Sequence, residues 1–173
     1  TLVLEELEHA KKRNAPILAE IIGFGTNSDG KHVTHPNTEP MAQAMALALE
    51  DAGIPADKIA YINMHGTATA TGDVAETRAV SKILGNDIPV STLKNYTAHT
   101  LGACGAIEAW VSINMMKEGW FCPNINLVEV DPECAPLDYI TGDGREIEAE
   151  YIMSNNFAFG GINTSLIFKK WSE

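Results

Sequence analysis

Positive charge, aromatic side chains and long apolar runs are all in short supply in this 173-residue chain. Lys and Arg number 12 against 23 Asp and Glu, a formal net charge of −11. Such a surface repels phosphate backbones and anionic lipid, so neither nucleic acid nor a membrane is an expected partner. Aromatics make up only 7% of residues, which argues against an aromatic-rich β-sandwich, whereas the wealth of Gly, Ala and Met favours closely packed helices. No apolar run reaches the ~20 residues that span a bilayer, and no basic stretch leads into the apolar core of a signal peptide. The three cysteines, Cys104, Cys122 and Cys134, fall at no metal-ligand spacing. An odd count without a secretory signal suits reduced thiols in a cytoplasmic protein, with no metal site. Thr1 in place of an initiating Met leads us to expect a longer gene product.

What is present is ordinary globular material, 45% hydrophobic and 20% charged, long enough for one core rather than two. Thr1 to Arg13 reads as a helix, with Glu5, Glu6 and Glu8 at its positive end and Lys11-Lys12-Arg13 at its negative end. A β-rich stretch follows over 17–24, then a polar loop over 25–36. Met41, Ala44, Met45, Ala48 and Leu49 make a stripe at helical spacing that Gly53-Ile54-Pro55 stops. Residues 59–64 and 88–92 read as short strands on either side of a helix over 73–84, and 151–154 and 164–168 as two further strands. Alternating strands and helices predict a layered α/β fold with a mixed sheet, one domain over 1–173. The predicted helix over 101–117 lacks a polar face apart from Glu108 and Lys117, the mark of a helix covered on all sides.

Three segments put polar groups where strands end. In His65-Gly66-Thr67-Ala68-Thr69-Ala70-Thr71-Gly72-Asp73 a histidine leaves a buried strand toward any cleft above the sheet. Gly66 permits close approach of a ligand, and Thr67 and Thr69 offer hydroxyls to an amide-rich linear one. In Lys94-Asn95-Tyr96-Thr97-Ala98-His99-Thr100-Leu101-Gly102-Ala103 a lysine and a histidine precede the apolar helix. A neutral imidazole there can donate to a carbonyl oxygen that is becoming anionic, and a desolvated Lys94 needs a carboxylate, for which Glu108 is the candidate. Asn155-Asn156-Phe157-Ala158-Phe159-Gly160-Gly161 sets two phenylalanines beside a glycine hinge, suited to opening and closing over an apolar substrate. Any one of these segments could be structural; their order and spacing together carry the reading.

The three segments resemble the C-terminal signature of the β-ketoacyl synthases of the thiolase superfamily: His-Gly-Thr-x-Thr-x-x-x-Asp, Lys-x-x-x-Gly-His-Thr-x-Gly-Ala and Asn-x-Phe-Gly-Phe-Gly-Gly. The resemblance implies the C-terminal half of a thiolase-like fold, with a mixed five-stranded sheet flanked by helices. The nucleophile-bearing N-terminal half would then lie outside this chain, and the chain alone would be inactive. It implies decarboxylative condensation of malonyl-carrier protein with an enzyme-bound acyl group. His65 and His99 would be the active-site histidines, Lys94 the buried lysine paired with Glu108, and Asp73 a supporting residue. Thr67 and Thr69 would bind the pantetheine arm, Phe157 and Phe159 would meet the acyl chain with Phe159 as gate, and His32 and Thr34 would belong to a second mobile loop. No cofactor is implied beyond the phosphopantetheine that arrives on the acyl carrier protein. The implied partners are that carrier, the missing half, and a second condensing-enzyme subunit in a homodimer or heterodimer.

Two positions depart from the signature. Ala98 and Ala158 stand where the family has glycine, and alanine is strained by roughly 1 kcal/mol or more if either needs a positive φ. None of the three cysteines lies at a turn that would activate it. A thiolase is disfavoured, because histidines stand where its second cysteine would serve as base. A chain-length-factor-like partner subunit is the alternative, against which the retention of His65, Lys94 and His99 argues.

Overall fold

In a computed structural model every residue is described except Lys31, Val33 and Glu173. The first helix is shorter than expected: α1 covers only Leu7–Lys12. The Glu6 side chain accepts hydrogen bonds from the amides of Glu8 and His9, so it caps the helix and leaves residues 1–5 outside. Strand β1 (Ala19–Ser28) runs on into part of the predicted loop. Helix α2 (Thr38–Ala52) is capped by the Asn37 side chain and closed by Gly53 at φ 65°, and it buries the predicted stripe. Then come β2 (Ile59–Asn63), α3 (Ala70–Leu84), β3 (Pro89–Ser91), the single turn α4 (Lys94–Thr97) and α5 (Cys104–Glu118). The chain ends through β4 (Trp120–Phe121), β5 (Asp138–Tyr139), β6 (Arg145–Glu146), β7 (Tyr151–Ala158) and β8 (Ile162–Lys170).

The main sheet is mixed, as expected, but has six strands rather than five, in the order β1-β8-β7-β2-β3-β5. The extra strand is the two-residue β5, which pairs parallel to β3 at the edge and is too short to leave a pattern in the sequence. β4 and β6 form a separate antiparallel pair. Both long strands of the β7–β8 hairpin extend well beyond the predicted ranges, because pairing continues through Asn155, Asn156 and Phe157 to the turn.

The expectation of one core becomes two apolar layers, one on each face of the sheet. Met45, Ile62, Met153 and Ile167 pack beneath α2 and α3, while Tyr61, Ile152 and Phe168 pack with Met115 and Met116 of α5. The period of two in 152–153 and 167–168 sends neighbours to opposite faces. Each large apolar side chain buried this way contributes about 1.5–3 kcal/mol. Strand β1 meets α2 through small residues: a Cβ at Gly23 or Gly25 would collide with the carbonyls of Ala48 and Ala44. Helix α5 is bare on one side, with Trp110 55% exposed and Leu101, in the 3-10 turn ahead of it, 66% exposed. Among the described residues no helix is long and apolar enough to cross a membrane.

Candidate active site

Strands β7, β2 and β3 are adjacent and parallel, so their C-terminal ends point the same way and release their loops at one rim. That rim gathers all three motifs. Past β2, the amide of Met64 continues the pairing to the carbonyl of Ser91 (2.9 Å), and the chain then turns at His65 and Gly66. The amides of these two residues donate to the carboxylate of Glu76 at 2.7 and 2.8 Å. Gly66 has φ 44°, and a Cβ there would press into Thr92 of the neighbouring turn. Glu76 is fully buried, and burial pushes its carboxyl up to about 7 despite those two amide bonds.

His65 and His99 face each other edge to face, with ring centroids 5.3 Å apart, and Phe157 closes on His65 at 6.1 Å. Burial, reinforced by the positive charge of Lys94 nearby, pushes the His65 imidazole down to about 3. Its Nδ1 is buried without a hydrogen-bond partner. The Leu101 amide donates to Nδ1 of His99 at 3.1 Å. That bond leaves the proton of the neutral ring on Nε2. The backbone around the pair is strained: Ala68, Ala98 and Leu101 all have φ of 54–56° without being glycine. Ala98, immediately before His99, combines φ 56° with ψ −177°, a region that glycine occupies almost alone. Ala158, by contrast, ends β7 in extended backbone and carries no such strain.

Behind the histidines lies a buried polar layer. Lys94 Nζ meets Glu108 Oε1 at 2.5 Å, with side chains 5% and 0% exposed. The second carboxylate oxygen accepts from Asn63 Nδ2 (3.4 Å) and Asn156 Nδ2 (3.2 Å). Asn63 Nδ2 also lies 3.2 Å from Ser154 Oγ, and its Oδ1 accepts from the Leu93 amide. A desolvated ion pair held by further hydrogen bonds is costly to break, at about 3–5 kcal/mol when one partner is removed.

The histidines line a cavity of about 700 Å³ that also takes in His32, Thr34, Thr67, Thr69, Glu76, Phe157 and Phe159. Thr67 and Thr69 present their hydroxyls 3.0 Å apart. His32 accepts from the Thr34 amide at the cavity's edge; in that segment Lys31 and Val33 lie outside the described residues. Phe157 belongs to β7 rather than to the hinge and is 7% exposed, whereas Phe159 stands on the Gly160-Gly161 turn and is 68% exposed. Asp73 is the exception. It sits in the first turn of α3, turned toward the amides of Thr67, Ala68 and Thr69, and lines a second cavity on the far side of the turn. Burial raises its carboxyl, as it raises all three thiols, so Cys104, Cys122 and Cys134 are free and not activated. Among the described residues no cluster of His, Cys, Asp and Glu could hold a metal ion.

Glu76, Asn63 and Asn156 also shape the site, although the motifs do not point to them. Glu76 left a signal: it falls on the buried stripe of α3 with Ala75, Ala79 and Val80, where a carboxylate must have a purpose. Asn156 left none, since its face depends on the register of β7.

The family profile described as "Beta-ketoacyl synthase, C-terminal domain" matches residues 18–128. The chain belongs to the β-ketoacyl synthase C-terminal domain family. Within this β-ketoacyl synthase domain the matched span takes in His65, Lys94, His99 and Glu108, while β7 and Phe159 lie beyond it. The chain is 43% identical over 174 residues to 3-oxoacyl-[acyl-carrier-protein] synthase 2 of Coxiella burnetii, covering 98% of this chain and 42% of that protein. It superimposes on the crystal structure of a β-ketoacyl synthase from Burkholderia phymatum STM815 with TM-score 0.96 and 62% identity, over 97% of this chain and 41% of that one. A type II PKS ketosynthase in complex with its acyl-carrier protein is similar at TM-score 0.91 and 32% identity, over 97% and 42%. The chain thus spans about two-fifths of the length of the β-ketoacyl synthases it matches.

Proposed function

We propose that this chain is the C-terminal part of a 3-oxoacyl-[acyl-carrier-protein] synthase and supplies the decarboxylating and oxyanion-stabilising half of its active site. The observation that carries the reading is the pair of imidazoles, 5.3 Å apart in one cavity with the Lys94–Glu108 pair behind them. When a malonyl thioester loses CO2, the electrons of the breaking C–C bond pass to an enolate whose negative charge rests on the thioester oxygen. His99 Nε2–H, its tautomer set by Leu101, can donate to that oxygen, and the neutral His65 beside it can donate a second bond. The enolate carbon then attacks an acyl thioester carried on a cysteine of the remainder of the protein. A carbon–carbon bond forms, the thiolate leaves, and the acyl chain is two carbons longer.

Thr67 and Thr69 flank the approach for the pantetheine arm, which arrives on the carrier protein, so the chemistry calls for no resident cofactor. Phe159, exposed on its glycine hinge, gates the acyl chain. The carrier protein bound to a related ketosynthase supports a carrier as partner here, and a second condensing-enzyme subunit completes the assembly. Three free thiols suit a reducing, cytoplasmic setting.

The test is the complete gene product with malonyl-carrier protein and an acyl donor. His99→Ala should cut CO2 release by about 10²–10³-fold, the usual cost of one oxyanion donor. Release unaffected in both His99→Ala and His65→Ala would overturn the proposal.

A further inference from the structure

Two side chains at the cavity wall belong to none of the motif positions: Cys104, in the first turn of α5, and Asn156, on the α5-facing side of β7. Cys104 Sγ donates to Asn156 Oδ1 at 3.2 Å. The same amide donates through Nδ2 to Glu108 Oε2 at 3.2 Å and lines the cavity together with His65. Cys104 and Glu108 stand four residues apart, so one face of α5 grips both ends of the amide.

The orientation of an Asn amide follows from its neighbours. Here a carboxylate on one side demands the NH2 group, which turns the carbonyl toward the thiol. A thiol is the complementary donor, small enough to fit beside Gly105, where even an added Cβ would lie 3.5 Å from the amide. We infer that Asn156, locked by Cys104, is a positioning residue that holds the Glu108–Lys94 pair and His65 in register with one another. A single amide on β7 thus joins Cys104 to the buried ion pair of α4 and α5, in the same cavity wall as the histidine of the β2 turn. This inference rests on the function proposed above.

The experiment uses the complete gene product with malonyl-carrier protein. Asn156→Asp keeps the shape but places a second carboxylate against Glu108. The rate should then acquire a new pH dependence, depressed at neutral pH and recovering in acid as the two carboxylates share a proton. Cys104→Ala should lower kcat about three- to tenfold with KM unchanged, the effect of one weak donor lost. Cys104→Ser, which keeps a donor, should return to within about twofold of the parent. Selective 15N-histidine NMR supplies a readout independent of turnover: the His65 imidazole should titrate at higher pH in Asn156→Asp than in the parent. A parent protein that does not condense, with the His65 shift present, would sink the proposed function and leave the positioning role standing. An active parent overturns the positioning role if Asn156→Asp loses rate equally at every pH and His65 does not shift. Failure of serine to rescue Cys104→Ala overturns the part assigned to the thiol.

Discussion

Ala98→Gly should stabilise the protein even though it removes a methyl group and touches nothing else. Ala98 sits at φ 56° and ψ −177°, with its amide bonded to the Lys94 carbonyl at 3.0 Å and its own carbonyl accepting from Thr97 Oγ1 at 3.0 Å. It cannot relax, because Lys94 is tied to Glu108 on one side and the Leu101 amide is tied to His99 on the other. A non-glycine residue held in such a region costs about 1–3 kcal/mol. Glycine relieves that strain but gives the unfolded chain more freedom, worth about 0.4–1 kcal/mol in the opposite direction. The net gain is about 1 kcal/mol, which for a domain of this size moves Tm by about 2–4 °C. Ala158→Gly is the matched control. Its backbone is extended, so the same change should lower stability by about 0.5–1 kcal/mol. Calorimetric Tm and urea midpoints of the two variants side by side provide the measurement. If Ala98→Gly is destabilising to the same degree as Ala158→Gly, the backbone at 98 carries no strain and the reasoning fails.

The pH dependence of stability should show two opposing groups. The carboxyl of Glu76 is raised in the folded state from 4.5 to about 7, so its contribution is full below 4.5 and is lost as pH rises through 7. His65 is lowered from 6.5 to about 3, so its contribution is full above 6.5 and is lost as pH falls toward 3. Between 4.5 and 6.5 the two slopes offset each other. Glu76→Gln should therefore expose a steady fall in urea midpoint from pH 6.5 downward, on top of a flat loss from one mismatched amide contact. A variant with the parent's pH profile would show that Glu76 does not titrate there. The isolated chain should also self-associate and bind an apolar dye through the bare side of α5 around Leu101 and Trp110. A monomer in analytical ultracentrifugation with no dye binding would contradict that.

The motifs were legible in one dimension because their chemistry is local. A histidine after an apolar strand, a lysine and histidine before a helix, and a glycine pair in a hairpin are each set by a few neighbours. The buried stripe of α2 and the nearly all-apolar surface of α5 were legible for the same reason: hydrophobic period is written into the chain itself. The edges were not. Thr1 to Glu5 have the composition of a helix, yet Glu6 caps the helix from inside, and β4, β5 and β6 are only two residues long, so pairing with distant strands alone makes them strands.

The site divides along the same line. From its residue types and order alone, the chain determines which imidazoles, which lysine and which hinge are available. Tertiary structure decides that β7, β2 and β3 lie side by side and parallel, which brings residues 65, 94, 99 and 157 to one rim. It also decides that Ala98 is strained while Ala158 is not, that Phe157 is buried in the cavity wall while Phe159 is exposed on the glycine turn, and that Asn156 faces Glu108. These outcomes depend on strand register and backbone torsion, which are settled by contacts between segments far apart in the chain and leave no trace in the local pattern.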